Sequence, residues 1–218
     1  MLKAVIFDMD GVIIESEPLH HIAYHKMFDD LNIKVSDALY ESFTGKATLK
    51  ICEQLCEAFN LKESPEFLVE TKRKHFNYLF DNDKTFDLME GVLDLIKDYH
   101  NNGLTLVLGS SASMPNIERI FKRFDLNKYF KAKFSGADLK ESKPHPEIFI
   151  KAAEATGYSR NECMVIEDAT NGVLAAKSAG IFCVAFDSPN SKNQDYSKAD
   201  LVVKSFNEIT YHKIQHLI

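Results

Sequence analysis

KAVIFDMDGV, residues 3–12, decides the fold. A short run of aliphatic and aromatic side chains ends abruptly in two acids and a glycine. Apolarity without alternation fits a strand buried on both faces of a parallel sheet, and Asp10-Gly11 marks the turn that leaves it. The pattern recurs at 104–108 (LTLVL), 163–167 (CMVIE), 182–186 (FCVAF) and, in shorter form, 201–203. Between these runs the period changes to that of helices. Val92, Leu95, Ile96 and Tyr99 share one face, as do Ile117, Ile120, Phe121 and Phe124. Ile148, Phe149, Ala152 and Ala153 form another such face, and Val173 to Ala176 a fourth that stops at Gly180. Strand and helix in alternation imply an α/β domain around a parallel sheet.

Residues 15–85 break that alternation. Only helical periods occur there: Leu19, Ile22, Ala23, Met27 and Leu31, then Leu49, Cys52, Leu55, Cys56 and Phe59, then Phe67, Leu68, Phe76, Leu79 and Phe80. Pro18 sits at a first-turn position. The arrangement expected is a core of residues 1–14 and 86–218 with a helical cap, 15–85, inserted after the first strand.

The 218 residues are 45% hydrophobic and 27% charged, ordinary values for a globular chain with a sizeable core. A net charge of −6 gives no basic footprint for nucleic acid. An anionic ligand would therefore need local attraction from a metal, a lysine or backbone amides. Cys52, Cys56, Cys163 and Cys183 lie in apolar segments, as buried thiols of a reducing compartment do. No apolar run is long enough for a signal peptide or a bilayer span. The expectation is a cytoplasmic monomer with no membrane or nucleic-acid partner.

Parallel sheets bind ligands at the carboxyl ends of their strands. Those ends carry Asp8 with Asp10, Gly109-Ser110-Ser111 and Glu167-Asp168, while Lys143 stands between Ser142 and Pro144 on a loop. Carboxylates brought together repel and call for a cation between them, and oxygen-only donors suit Mg²⁺. A screened carboxylate can attack phosphorus. Phosphoryl transfer needs positioning and charge neutralisation above all, which Lys143, Ser110 and nearby backbone amides can supply. Asp10 can protonate a leaving oxygen and later deprotonate a water.

FDMDGV at 7–12, GSS at 109–111, the lysine of SKPHP at 142–146 and IEDATNG at 166–172 resemble, in order and spacing, the four motifs of the haloacid dehalogenase superfamily. The resemblance is to the branch with a helical cap after the first motif and covers nearly the whole chain. It implies an α/β, Rossmann-like core with a four-helix-type cap. It also implies Asp8 as nucleophile and magnesium ligand, and Asp10 as general acid/base with its carbonyl on the metal. Ser110, Ser111 and Lys143 would bind the phosphoryl group. Asp168 would be a metal ligand, and Glu167 a ligand directly or through water. Dehalogenating and phosphonate-cleaving members lack an aspartate at the position of Asp10, so its presence implies transfer from an ester.

The resemblance makes the cap the reader of the leaving group, with Glu15, His20, Gly45 and Lys46 as contact candidates. His21 and His25 lie at i,i+4 without a third ligand, so a surface position is expected. The β-phosphoglucomutases have a similar first segment, including a histidine like His20. Their cap loop carries a lysine before the glycine and an arginine beyond it, where this chain has Thr44 and Thr48. The reading is therefore a Mg²⁺-dependent phosphatase of a small, sugar-phosphate-like metabolite. A phosphomutase is the alternative, and a non-catalytic phosphate-binding protein the second.

Overall fold

A computed structural model describes residues 1–43, 48–188, 191 and 193–217. The chain divides into two compact units, Met1–Glu15 with Leu88–Ile218, and Ser16–Asp87.

The first unit holds a six-stranded sheet. Its strands are β1 (Ala4–Phe7), β2 (Thr105–Ser110), β3 (Phe130–Ser135), β4 (Cys163–Glu167), β5 (Phe182–Phe186) and β6 (Leu201–Val203). Every pairing is parallel, in the order β3-β2-β1-β4-β5-β6. This is the Rossmann-like α/β arrangement expected from the sequence. Helices α5 (Val92–Asn101), α6 (Met114–Arg123), α7 (Glu147–Thr156) and α8 (Thr170–Ser178) supply crossovers. A last short helix, α9 (Tyr211–Ile214), follows β6.

All four residues of β1 are buried, because helices cover both faces of the central strand. Ala4 and Ile6 pack with Phe149 and Ala152 of α7 and with Val173 and Ala176 of α8. Phe7 points the other way, its ring 6.2 Å from Tyr99 of α5 and 5.7 Å from Phe130. The sequence reading missed β3, whose FKAKFS alternates lysine with apolar residues. It is an edge strand, where such alternation blunts further pairing. Lys133 crosses the Phe121 ring and pairs with Glu118.

The second unit contains α1 (Glu17–Asp30), α2 (Asp37–Glu41), α3 (Thr48–Phe59) and α4 (Pro65–Asn82). Its core is Tyr24, Met27, Phe28, Phe43, Ile51, Cys52, Leu55 and Leu68. Ile22, Leu49 and Phe67, assigned inward by periodicity, are exposed. The helices turn instead to bury Tyr24 and Phe28 from α1 and Ile51 from α3. The hydroxyl of Ser64 caps α4 by accepting from the Phe67 amide.

The joints differ slightly from the expected 14/15 and 85/86. Met89 donates its amide to the Ile13 carbonyl, and Ile14 bridges Leu88, which ties these two passes of the chain together. Phe86 belongs with the helices, edge-on to Phe80 at 5.2 Å. All four cysteines are free thiols, three buried and Cys56 half-buried.

One polar bond inside the first unit can be tested in isolation. The Tyr99 hydroxyl, fully buried, donates to the Ile209 carbonyl at 2.5 Å and fastens the C-terminal turn to α5. Tyr99→Phe leaves that acceptor unpaired, so urea unfolding should show a loss of about 1–3 kcal/mol with an unchanged m-value.

Candidate active site

The sheet order reverses between β1 and β4. Crossovers leave these neighbouring strands on opposite faces, which opens a crevice at their carboxyl ends. Asp8 follows β1, and Glu167 and Asp168 stand at the end of β4. Phe7 pairs with Ile166 and Asp8 donates its amide to the Ile166 carbonyl, which fixes the relative height of the two ends. Asp8, Glu167 and Asp168 each offer an oxygen, and these atoms lie within 4.8 Å of one another. Among the described residues this is the only such group of three or more potential metal ligands.

Lys143 enters the group from the loop before α7. Its ammonium donates to Asp8 Oδ1 at 2.5 Å, Glu167 Oε1 at 2.7 Å and the Gly109 carbonyl at 2.9 Å. All three of its protons are thus engaged, and the nitrogen also sits 4.7 Å from the centre of the Phe149 ring. Glu167 Oε2 accepts the amides of Asp168 and Ala169. That ties this carboxylate to its own loop as well as to the lysine.

Burial raises the Asp8 carboxyl to about 7; Lys143 opposes the rise, and the charges of Glu167 and Asp10 add to it. Asp168 is also held well above its ordinary value, first by burial and then by Glu167 and Asp8. Burial acts to lower Lys143, but the charges of Asp8 and Glu167 outweigh it and hold the ammonium above its ordinary value. One cation among so many acids leaves unneutralised negative charge. A divalent ion with oxygen ligands fits this donor set, and Mg²⁺ fits its hardness. Asp8 and Asp168 are the residues that would hold it, with Glu167 directly or through water and Asp10 through its backbone carbonyl as further candidates.

Ser110, the last residue of β2, is fully buried, and its hydroxyl accepts the Ala112 amide at 3.0 Å. Ser111, next in line, is exposed. Asp10 is half-buried one turn beyond Asp8, near enough for its charge to act on both Asp8 and Asp168. Two glycines make the crowding possible. A Cβ on Gly11, which has φ of +80°, would stand 2.0 Å from Asp168 Oδ2, and one on Gly172 would stand 1.8 Å from the Glu167 carboxyl carbon.

The cap candidates separate. Glu15 is half-buried and lies in the first unit. His20 lies in the second, stacked on Phe76 at 4.5 Å. Gly45 and Lys46 fall outside the described residues. The His21 and His25 rings lie tilted against each other on α1 with centroids 4.2 Å apart, and burial and then His25 lower the His21 pKa. Sequence reasoning passed over Lys72, hidden in the TKRKH run that reads as a solvated face. It is 6% exposed, donates to His20 Nδ1 at 2.7 Å, and lies 4.9 Å and 5.2 Å from the Tyr24 and Phe76 ring centres. Only its i,i+4 relation to Phe76 and Leu68 could have placed it inward.

Two outcomes follow from this packing. Gly172→Ala should displace Glu167 and destabilise the fold by about 1–3 kcal/mol in chemical unfolding. In chelator, native Asp8 retains a proton between pH 3.8 and about 7 that the unfolded chain has lost. Its contribution to stability should therefore fall as pH rises through that window. Urea midpoints compared with Asp8→Asn should show a flatter slope in the variant.

Comparison with known proteins places the fold in a family. The family model described as haloacid dehalogenase-like hydrolase matches residues 5–186. A phosphorylated carbohydrates phosphatase of Thermotoga maritima is 31% identical over 184 residues, 83% of this chain and 82% of that protein. Hexitol phosphatase B of Escherichia coli is 28% identical over 96% of this chain and 95% of its own. The crystal structure of a β-phosphoglucomutase from Clostridium difficile superposes with a TM-score of 0.82 at 28% identity, covering 99% of this chain and 96% of that one. From the motifs in order, the strand order that gathers them and these matches, the chain belongs to the haloacid dehalogenase-like hydrolase family.

Proposed function

We propose that this chain is a Mg²⁺-dependent phosphatase that cleaves a small, sugar-phosphate-like metabolite through a phosphorylated Asp8. The observation that carries the reading is the position of Asp8: a buried carboxylate at the switch point, ion-paired to Lys143 and within 4.8 Å of the Asp168 and Glu167 oxygens. The relatives named for phosphorylated carbohydrates and hexitols support the substrate class.

In this reading an Asp8 oxygen attacks phosphorus and the ester oxygen departs with a proton from Asp10. Asp10 then takes a proton from water, the water oxygen attacks the aspartyl phosphate, and inorganic phosphate leaves with Asp8 restored. Magnesium, when bound, would screen the negative charge of the carboxylates and the phosphoryl oxygens. Lys143 adds its own positive charge beside Asp8. With all three protons engaged, it acts on the phosphoryl group through that charge. Ser110 presents a hydroxyl already oriented by the Ala112 amide. Glu167, both of whose oxygens accept N–H donors, supports Lys143 and would meet the metal directly or through water. The same reading makes the protein a cytoplasmic monomer without nucleic-acid or membrane partners; no helix among the described residues is long and apolar enough to cross a membrane.

A phosphomutase is the second reading, favoured by the likeness to β-phosphoglucomutase. Against it, the cap has Thr48 where an arginine would clamp a second phosphate.

Purified protein with Mg²⁺ should release inorganic phosphate from members of a sugar-phosphate and polyol-phosphate panel. Given β-glucose 1-phosphate, any product should be phosphate; accumulation of glucose 6-phosphate would select the mutase. Asp8→Asn should bring turnover to background, and retained turnover would refute the nucleophile. Asp10→Asn should lower kcat by about 10²–10⁴-fold.

A further inference from the structure

Ser191, Gln194, Asp195 and Tyr196, which lie between β5 and β6, bond the residues that follow β4. The Ser191 hydroxyl donates to Asp168 Oδ2. The Tyr196 hydroxyl donates to the Asp168 backbone carbonyl at 2.6 Å. Gln194 Oε1 accepts the Thr170 amide at 2.8 Å, and the Asp195 amide donates to Thr170 Oγ1 at 2.7 Å. The Thr170 bonds serve the start of α8, whose N-cap residue, Ala169, has no side-chain oxygen to offer. The bonds to Asp168 do something else: one fixes its backbone carbonyl, and the other satisfies and orients one oxygen of its buried carboxylate.

Asp168 is 8% exposed and confined on two sides. Gly11 lies against Oδ2, with room for no Cβ, and Ser191 holds the same oxygen by a charge-assisted bond. A carboxylate gripped at one oxygen cannot rotate freely, and it presents its other oxygen in one direction. Ligand carboxylates in metal sites are commonly held by such outer partners, whose removal weakens metal affinity.

We infer that Ser191 is a positioning residue for the cation ligand Asp168, with Tyr196 fixing the backbone beneath it. The inference rests on the proposed Mg²⁺ site and adds to it residues lying outside all four sequence motifs.

Isothermal titration of Mg²⁺ into the full chain tests it, with Ser191→Ala, Ser191→Thr and Tyr196→Phe alongside wild type, and melting of each in chelator as a control. Ser191→Ala should raise the Mg²⁺ Kd by about tenfold, and any loss of Tm in chelator from the unpaired Asp168 oxygen should be recovered in Ser191→Thr. Ser191→Thr, which keeps the hydroxyl, should restore affinity, and Tyr196→Phe should give a smaller loss. An unchanged Kd in Ser191→Ala overturns the inference. So does a tighter one, which would mean that the hydroxyl competes with the ion. A loss of Tm in chelator that threonine does not rescue also overturns it, since the role would then be structural. Wild type that binds no Mg²⁺ would overturn the proposed function as well. Wild type that binds Mg²⁺ and weakens in Ser191→Ala, yet releases no phosphate from any ester, would sink the function alone.

Discussion

A buried ammonium shared between two buried carboxylates is the constraint on which the rest of the site depends. Lys143 lies within 2.7 Å of both Asp8 and Glu167, with 7% of its side chain exposed. Removing either charge type from such a pair leaves the other unpaired in a poorly solvated place, at a cost of several kcal/mol. The sheet therefore has to bring three separate segments to one point: the end of β1, the end of β4 and the loop before α7. The parallel registers of β1 with β2 and with β4 do this, since they align Phe7 with Leu108 on one side and Ile166 on the other.

The same crowding explains residues that perform no chemistry. Gly11 and Gly172 are required because carboxylates occupy the space their side chains would take. Gly11 also needs its positive φ to turn the chain after Asp10. Gly109 packs against Phe149 and Ile6, and its carbonyl takes the third proton of Lys143. Small residues at strand ends here reflect how closely backbone and carboxylate must approach.

Much of this was legible in the sequence because the signals are local and periodic. Strands β1, β2, β4 and β5 announce themselves as apolar runs buried on both faces, and three of them bring a candidate site residue to their carboxyl end: Asp8 after β1, Ser110 on β2 and Glu167 on β4. The insertion shows as a change of period at residue 15. β3 escaped notice because an edge strand need not be apolar on both faces, and its lysines read as surface. The short α2 has no apolar period to read and buries none of its own residues. Lys72, Ser191 and Tyr196 were hidden for another reason. Their contacts span 23 to 52 residues, and beyond the inward placing of Lys72 no spacing rule encodes them.

One lysine leaves a surplus of negative charge at this point, which a divalent cation would balance. The most direct test is anomalous diffraction from crystals of this protein grown with Mn²⁺ in place of Mg²⁺. The account predicts one strong peak per chain in contact with carboxylate oxygens of Asp8 and Asp168, on the side of Asp8 away from Lys143. A fully occupied peak elsewhere, or none near these oxygens at saturating Mn²⁺, would contradict it.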